Sequence, residues 1–508
     1  MSSHSRPAHH PTAPPAWLGT EGFSALAVGA VTFIVYLNTL APGLTWANNG
    51  ADGGDLISAA AKLGVAHPSG YPTYLLLARL FLALPAGPQA FRTNLFSALC
   101  AALAAAVVTL LVDQCSAAPR RFAWAGGLVA GLAFGLSPVL WSQAVITEVY
   151  ALHVLLVSLI LYTLPLGRPW LGRHLAERHY LAGALFGLAL GNHLTTILLL
   201  PAWLAATIWA TGRWQPRRLA QRLSGLATGL LVYAYLPISA GRNPPVNWGR
   251  PVDLSGLWWV VSGVPYRALV FGLPSGYVLN RVEGWAGLII AQFGLIGMAG
   301  AFYGLFFGAS NGVRVKAVTT WLALVFSIFA IGYNTADSYA YLLPAFLALA
   351  VWLGLGIATA LAGMRQFALR RPARLALVAG LVLAVAINAA SHLPSVDASQ
   401  ETAAEDFGRA VMQQAPRAGL IFTHADKDTF AAWYFHFALG QRPDVAIVVE
   451  PLLNFEWYRT NLSATSAGLV IPAQPEPTWR QALIAANPRA VCDTHPNEAQ
   501  ALTCQPPP

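Results

Sequence analysis

Asp52-Gly-Gly-Asp55-Leu-Ile-Ser-Ala-Ala-Ala-Lys62-Leu-Gly-Val-Ala-His67-Pro68-Ser-Gly-Tyr71-Pro72 is the stretch on which the reading of this chain turns. It follows the first long apolar segment and sets two carboxylates three residues apart. Gly53-Gly54 lets the backbone turn tightly, and Asp55 leads a short helix-like run. Pro68 and Pro72 stiffen the exit and push the residues before them toward extended conformations. Polar groups fixed on a rigid turn beside a membrane read as a site. The plainer reading is a loop in which Asp52 or Asp55 caps the following helix.

The surrounding chain supplies the membrane. Of 508 residues, 56% are hydrophobic and 10% charged, with mean hydropathy +0.53. Soluble domains carry about 25% charged residues, so this composition predicts a polytopic α-helical membrane protein. Spans of about 20 apolar residues are expected near 23–41, 91–112, 122–140, 147–166, 180–192, 194–210, 222–240, 284–308, 317–333, 339–361 and 375–391. Residues 74–85 are apolar but too short to span, and read as an interfacial or re-entrant helix. Residues 1–22 read as a disordered leader without the features of a cleaved signal peptide.

The net charge of +9 does not point to nucleic acid, because the Arg residues sit in short clusters between apolar segments. Alternate connections hold Arg120-Arg121; Arg168, Arg173 and Arg178; Arg213, Arg217, Arg218 and Arg222; Arg314 and Lys316; and Arg365, Arg370, Arg371 and Arg374. With eleven spans these all fall on one side, which the positive-inside rule makes cytoplasmic. The N-terminus is then inside. The first loop (42–90) and everything from 392 onward are outside, in what reads as a bacterial plasma membrane.

The outer connections gather the unusual polar residues: Glu148, Asn192 and His193, then Arg242, Asn247, Trp248, Arg250 and Arg267, and last Asp337. Ionisable groups at membrane depth are costly and are functional candidates by default. Each also has a plainer reading. Glu148 can pair with an Arg, His193 can be a hydrogen-bonded bundle residue, and Asp337 can cap a helix. Trp248, Trp258 and Trp259 read as interfacial anchors, with sugar platforms as the alternative. The tail, 392–508, reads as a small α/β domain. Leu420–Thr423 and Val445–Val449 are its parallel strands, joined by a helix over 428–440, and Cys492 and Cys504 are able to pair. The chain lacks a Walker-type phosphate loop, structural-zinc spacing and a Gly-x-Ser-x-Gly elbow.

Asp52-x-x-Asp55 followed by Gly64-Val65-Ala66-His67-Pro68-Ser69-Gly70-Tyr71-Pro72 resembles a membrane family that includes the protein O-mannosyltransferase called transmembrane protein 260. The likeness continues in order at Trp141–Tyr150, Gly191–Thr195, Tyr235–Ile238, Asn247-Trp248-Gly249, Val261–Gly263 and Asp337–Pro344. In the tail it continues at Thr423–Asp426 and Arg442–Val445.

This resemblance implies a lipid-dependent glycosyltransferase of the multi-span GT-C class. Such an enzyme moves mannose or a similar hexose from a polyprenyl-phosphate carrier to a hydroxyl of a protein or glycan on the outer face, with inversion. It implies an Asp of the first outer loop as catalytic base. Asp55 stands here where the family has Glu, one methylene shorter. Asp52 is preferred as the base because it precedes the Gly-Gly turn, while Asp55 begins the helix and suits a supporting role. His67, Tyr71, Arg242, Asn247, Trp248, Arg250 and Arg267 are the implied donor-binding residues, with Lys62 a further cation, and Glu148, Asn192, His193 and Asp337 are supporting. No metal or cofactor is assigned. The competing readings are a lipid-sugar flippase, with polar residues through the depth of the bundle, and a non-catalytic assembly protein with dispensable Asp52 and Asp55.

Overall fold

The computed structural model of the chain describes residues 20–167, 175–209, 213, 215–364, 371–466, 468–475, 477–498 and 500–507. The segment 1–19, where most of the predicted leader lies, and Arg168, Arg173, Arg365 and Arg370 of the basic clusters are outside the described residues.

α1 (Thr20–Thr39) is the first span, and the loop after it carries α2 (Gly53–Lys62) and α3 (Pro72–Leu82). Next come α4 (Gln89–Cys115), α5 (Arg120–Gly135), α6 (Pro138–Ala144), α7 (Tyr150–Thr163), α8 (Leu175–Leu190) and α9 (Leu200–Trp209). α10 (Pro216–Leu230), α11 (Tyr235–Ala240) and α12 (Leu254–Val261) precede four long helices, α13 (Val278–Phe307), α14 (Val313–Gly332), α15 (Leu343–Gly363) and α16 (Arg371–Val396). Each of the eleven predicted spans falls on helix. Among the described residues, however, seven helices are long and apolar enough to cross a membrane, or eight if α5 and α6, bent by 62°, count as one. The shortfall has a physical cause. Pro138 starts a new helix at the bend, and α7 and α8 stop beside the polar runs at 147–149 and 191–193.

The core of the bundle is α15, which packs on α5, α13 and α14 and is buried along most of its length. Small residues make this possible, as expected where lipid removes the usual hydrophobic drive. A Cβ on Gly304 would stand 1.7 Å from the Trp352 carbonyl oxygen, so only glycine lets α13 come this close. The outer faces of α13 and α16 present Leu295, Phe306, Leu383 and Ile387, each more than half exposed, to the surroundings of the bundle.

The loops separate into two groups at the ends of the bundle. At one end the Ala117 N–H donates to the Ala309 carbonyl (2.8 Å), and Asn311 Nδ2 donates to the carbonyls of Gln114 and Ser116. Arg121 and Arg374 sit over the Phe122 ring at this end. At the other end, the first loop, the 241–277 connection and the 333–342 turn meet the tail.

The tail is built from α17 (Ala403–Gln414), β1 (Leu420–Thr423), α18 (Asp426–Trp433), β2 (Ala446–Val449), α19 (Glu456–Thr465), α20 (Trp479–Ala486), β3 (Val491–Thr494) and β4 (Leu502–Gln505). Its sheet has the order β2-β1-β3-β4; β1 is parallel to both neighbours and β4 antiparallel to β3. The expected parallel pair is present, register Leu420↔Ala446. The expected crossover helix is α18 extended by a π-turn at Tyr434–Ala438. A Cys492–Cys504 disulfide joins β3 to β4.

Candidate active site

Asp52 immediately precedes α2, but its side chain makes no capping bond. The plainer reading of this residue as a helix cap therefore does not describe it. Asp55, in the first turn of the helix, is fully buried and committed. Its carboxylate accepts the His67 backbone N–H (3.0 Å), the His67 Nδ1–H (2.7 Å) and the Trp248 indole N–H (3.1 Å). His67 Nε2 then points at Asp52 Oδ2, 3.6 Å away. The order Asp55, His67, Asp52 gives one carboxylate that holds the imidazole and a second that is one-third accessible and free to meet a ligand.

Backbone pairing fixes this geometry. Val65 N–H donates to the Val246 carbonyl (2.9 Å) and Trp248 N–H to the Val65 carbonyl (3.2 Å), which lays 245–248 beside 64–66 and brings the indole onto Asp55. The Tyr235 hydroxyl anchors the Gly64 carbonyl (2.8 Å). The tail closes the other side. The turn expected at Gly53-Gly54 is absent, because both glycines are the opening residues of α2; a Cβ on Gly54 would fall 2.0 Å from the Phe430 carbonyl oxygen, so this glycine is the seat of α18. Phe430 stacks on His67, ring centroids 6.1 Å apart.

The electrostatics follow from crowding. Burial raises the Asp52 carboxyl, His67 pulls it partly back, and it stands at about 6. Burial works against charge on His67, but Asp52 and Asp55 outweigh it and hold the imidazolium up to about 9. At neutral pH the pair is an ionised carboxylate beside a protonated imidazole, with the carboxylate poised near enough to neutrality to accept a proton.

Asp52 and His67 open onto a cavity of about 440 Å³. Tyr71, His193, Arg267 and Asp337 of the predicted set also line it. Asp337 makes no capping bond and instead accepts the Tyr150 hydroxyl (3.2 Å). Arg267 Nη2 donates to Ser262 Oγ (2.6 Å) and its guanidinium lies over Trp258. One side of the cavity is apolar, with Ile197, Leu198, Leu269, Val270 and Phe329, and Ile197 and Val270 are nearly half exposed.

Other predicted residues lie off this lining. Arg242 and Lys62 are exposed outside it, and Arg250 is half-buried away from it. Trp248 is neither a membrane anchor nor a sugar platform; it is buried as the support of Asp55. Asn247 is buried against Asn461 and the Ala240 carbonyl. Asn192 donates to the Val149 carbonyl, and the buried Glu148 accepts the Val149 N–H.

Tyr150 and Tyr266, polar residues of the outer connections that received no site role from the sequence, also line the cavity, and sequence reasoning missed Tyr341 and, from the tail, Asp426 and Phe430. The Thr423–Asp426 run was a family-like signal, but nothing in the sequence tied it to the first loop. Among the described residues, the histidine and carboxylate group spaced to hold a metal is His424, Glu450 and Asp493 of the tail. Arg480 already bridges its carboxylates at 2.8 Å.

Comparison with known proteins agrees with this picture. A family model described as the protein O-mannosyl-transferase TMEM260 N-terminal domain matches residues 52–216, beginning on Asp52, and one described as TMEM260-associated domain 2 matches residues 404–472. The mouse protein O-mannosyl-transferase TMEM260 is 26% identical over 477 residues, covering 88% of this chain and 65% of the relative. The Dictyostelium discoideum protein of the same description is 22% identical over 487 residues, covering 85% and 57%. The chain thus spans somewhat under two thirds of the length of these relatives. In fold it is similar to ArnT from Cupriavidus metallidurans bound to undecaprenyl phosphate, with TM-score 0.58, 14% identity and 92% of both chains covered. It is also similar to the archaeal oligosaccharyltransferase AglB from Archaeoglobus fulgidus in complex with an inhibitory peptide and a dolichol-phosphate, with TM-score 0.52, 12% identity and 94% and 70% covered. The chain is thus similar in sequence to the TMEM260 proteins over the two matched segments, and it shares the fold of the solved ArnT and AglB glycosyltransferases.

Proposed function

We propose that this chain transfers a mannosyl or similar hexosyl group from a polyprenyl-phosphate carrier to a hydroxyl of a polypeptide at the extracytoplasmic face, with inversion. The observation that carries the reading is Asp52: an accessible, uncapped carboxylate beside His67, in a cavity polar at one side and apolar at the other. In this reading Asp52 takes the proton of the acceptor hydroxyl. The oxygen attacks the anomeric carbon from the face opposite the phosphate, the bond from that carbon to the phosphate oxygen breaks, and the carrier leaves as polyprenyl phosphate. A carboxylate in hydrogen-bond reach is suited to that step. His67 and Arg267 are the cations lining the cavity, and Arg267 is adjacent in sequence to the apolar Leu269 and Val270, where a carrier chain would enter. Guanidinium is well matched to a departing phosphate. Enclosure under the tail limits attack by water.

The relatives named as O-mannosyl-transferases and the fold neighbours solved with polyprenyl phosphates support the choice of donor. The Arg clusters support a cytoplasmic N-terminus and an outer tail. The test is purified protein in sealed vesicles of known sidedness, loaded with a mannosyl-phosphate polyprenol and given a membrane-impermeant Ser/Thr peptide. Transfer is expected when the tail faces the peptide. Transfer from the opposite side, or none with any hydroxyl acceptor, would overturn the reading.

A further inference from the structure

The tail does more than cover the site, because it brings in a charge of its own. Asp426, the first residue of α18, lines the same cavity as Asp52 and His67. Its side chain is open to the cavity, and among the described residues it has neither a hydrogen-bond partner nor an ion pair. It is not needed to cap its helix. Asp428 does that, accepting the N–H groups of His424 and Ala425, both at 2.8 Å.

The surroundings of Asp426 make an uncommitted acid there costly. Asp52 and Asp337 share the cavity. Where the first loop meets the tail, Glu401, before α17, accepts the Trp46 N–H and Glu405, in the first turn of α17, the Leu44 N–H. The nearby cations are shared: His67, held by Asp55, also faces Asp52 and acts on Asp426 across the cavity, and Lys427 lies over the Trp46 ring. The remaining cation of the lining, Arg267, belongs to the segment that forms the apolar side with Leu269 and Val270. A chain of net charge +9 thus presents an acidic surface where the tail meets the first loop, and keeps its cationic group beside the apolar entrance. An anionic carrier phosphate suits the second region and not the first. The acidic region suits whatever approaches from the tail side.

We propose that Asp426 reads the charge of the acceptor, so that the site favours polypeptide hydroxyls flanked by basic side chains and rejects those flanked by acidic ones. Attraction of the right partner and repulsion of the wrong one then act through one carboxylate. This inference rests on the transferase reading above and goes further by assigning acceptor selection to a named tail residue.

The experiment uses the full chain, a mannosyl-phosphate polyprenol, and three peptides that differ only in whether Lys, Ala or Glu flanks a single Ser. For the unaltered protein, kcat/KM is expected to favour the Lys peptide over the Glu peptide by about tenfold at low salt, the equivalent of about 1.4 kcal/mol, and the ratio should shrink as salt screens it. Asp426→Asn should bring the ratio near one and Asp426→Lys should invert it. The Lys-to-Glu ratio cancels any general loss of activity, so a partly impaired variant still reports. An unaltered protein that transfers without preference, or a preference that persists in Asp426→Asn, overturns the inference and leaves the transferase reading standing. An unaltered protein that transfers to none of the three overturns both.

Discussion

Asp52 and Asp55 are three residues apart and chemically identical, yet the fold assigns them different work. Asp55 has three donors and no access to solvent. Asp52 has no cap to make and, among the described residues, one ion-pair partner, His67, at 3.6 Å. The pH dependence of turnover should therefore be a bell. Below about 6 Asp52 is protonated and unable to take a proton, so the rate rises with pH through that value. Above about 9 His67 loses its charge and the rate falls. Asp55→Asn removes one of the charges that hold the imidazolium up, so the falling limb should move to lower pH while the rising limb changes less. A pH–rate profile of both proteins checks this, and an unmoved falling limb would contradict it. The same linkage acts on stability. His67 stands higher folded than its ordinary 6.5, so its contribution is complete below about 6.5 and is lost as pH rises through about 9. The separation of the two carboxylates was not legible from a Gly-Gly turn, since both glycines are in α2; Asp52 is set apart by standing one residue before the helix. The partners of Asp55 were not legible either, because Trp248 lies 193 positions away and reaches it only through the Val65–Asn247 bridge.

At the level of elements, the decisive contact is α2 against α18. The backbone of Gly54 lies so close to the Phe430 carbonyl that any side chain there must displace the tail helix. Gly54→Ala should lower stability by about 1–3 kcal/mol, the usual cost of overpacking a tight site, and should loosen α18 over the cavity. Thermal unfolding reads the first effect, and faster hydrogen exchange in 426–438 the second; an unchanged melting temperature with unchanged exchange would contradict the close fit. The bundle helices and the β1–β2 pair with its crossover helix were legible from apolar runs, while β3, β4 and the other tail helices were not. Span lengths were less legible. Composition counts apolar residues, but α7 and α8 end where polar runs serve the site end of the bundle, and Pro138 splits what reads as one span at 122–140. The cation set was read too broadly for a similar reason. Arg242, Arg250 and Arg267 share one loop, and only Arg267 faces the cavity, which depends on how 241–277 folds over the first loop.

Across the whole molecule, charge and polarity are distributed by end. Arg121 and Arg374 pack at one end of the bundle, and Asp52, Asp337 and Asp426 meet beneath the tail at the other. The tail was legible as a small α/β unit, but its share in the site was not, since Asp426 and Phe430 enter the cavity only through docking. Sugar transfer with Asp52 as base is the proposed work of this cavity. It is tested most directly by single-turnover transfer from mannosyl-phosphate polyprenol to peptide, comparing the unaltered protein with Asp52→Asn and Asp55→Asn, each checked for folding by thermal unfolding. A fall of about 10²–10⁴-fold is expected for Asp52→Asn, the usual share of general-base catalysis, with donor binding retained, and a smaller loss for Asp55→Asn. Near-normal transfer by a folded Asp52→Asn protein would contradict it.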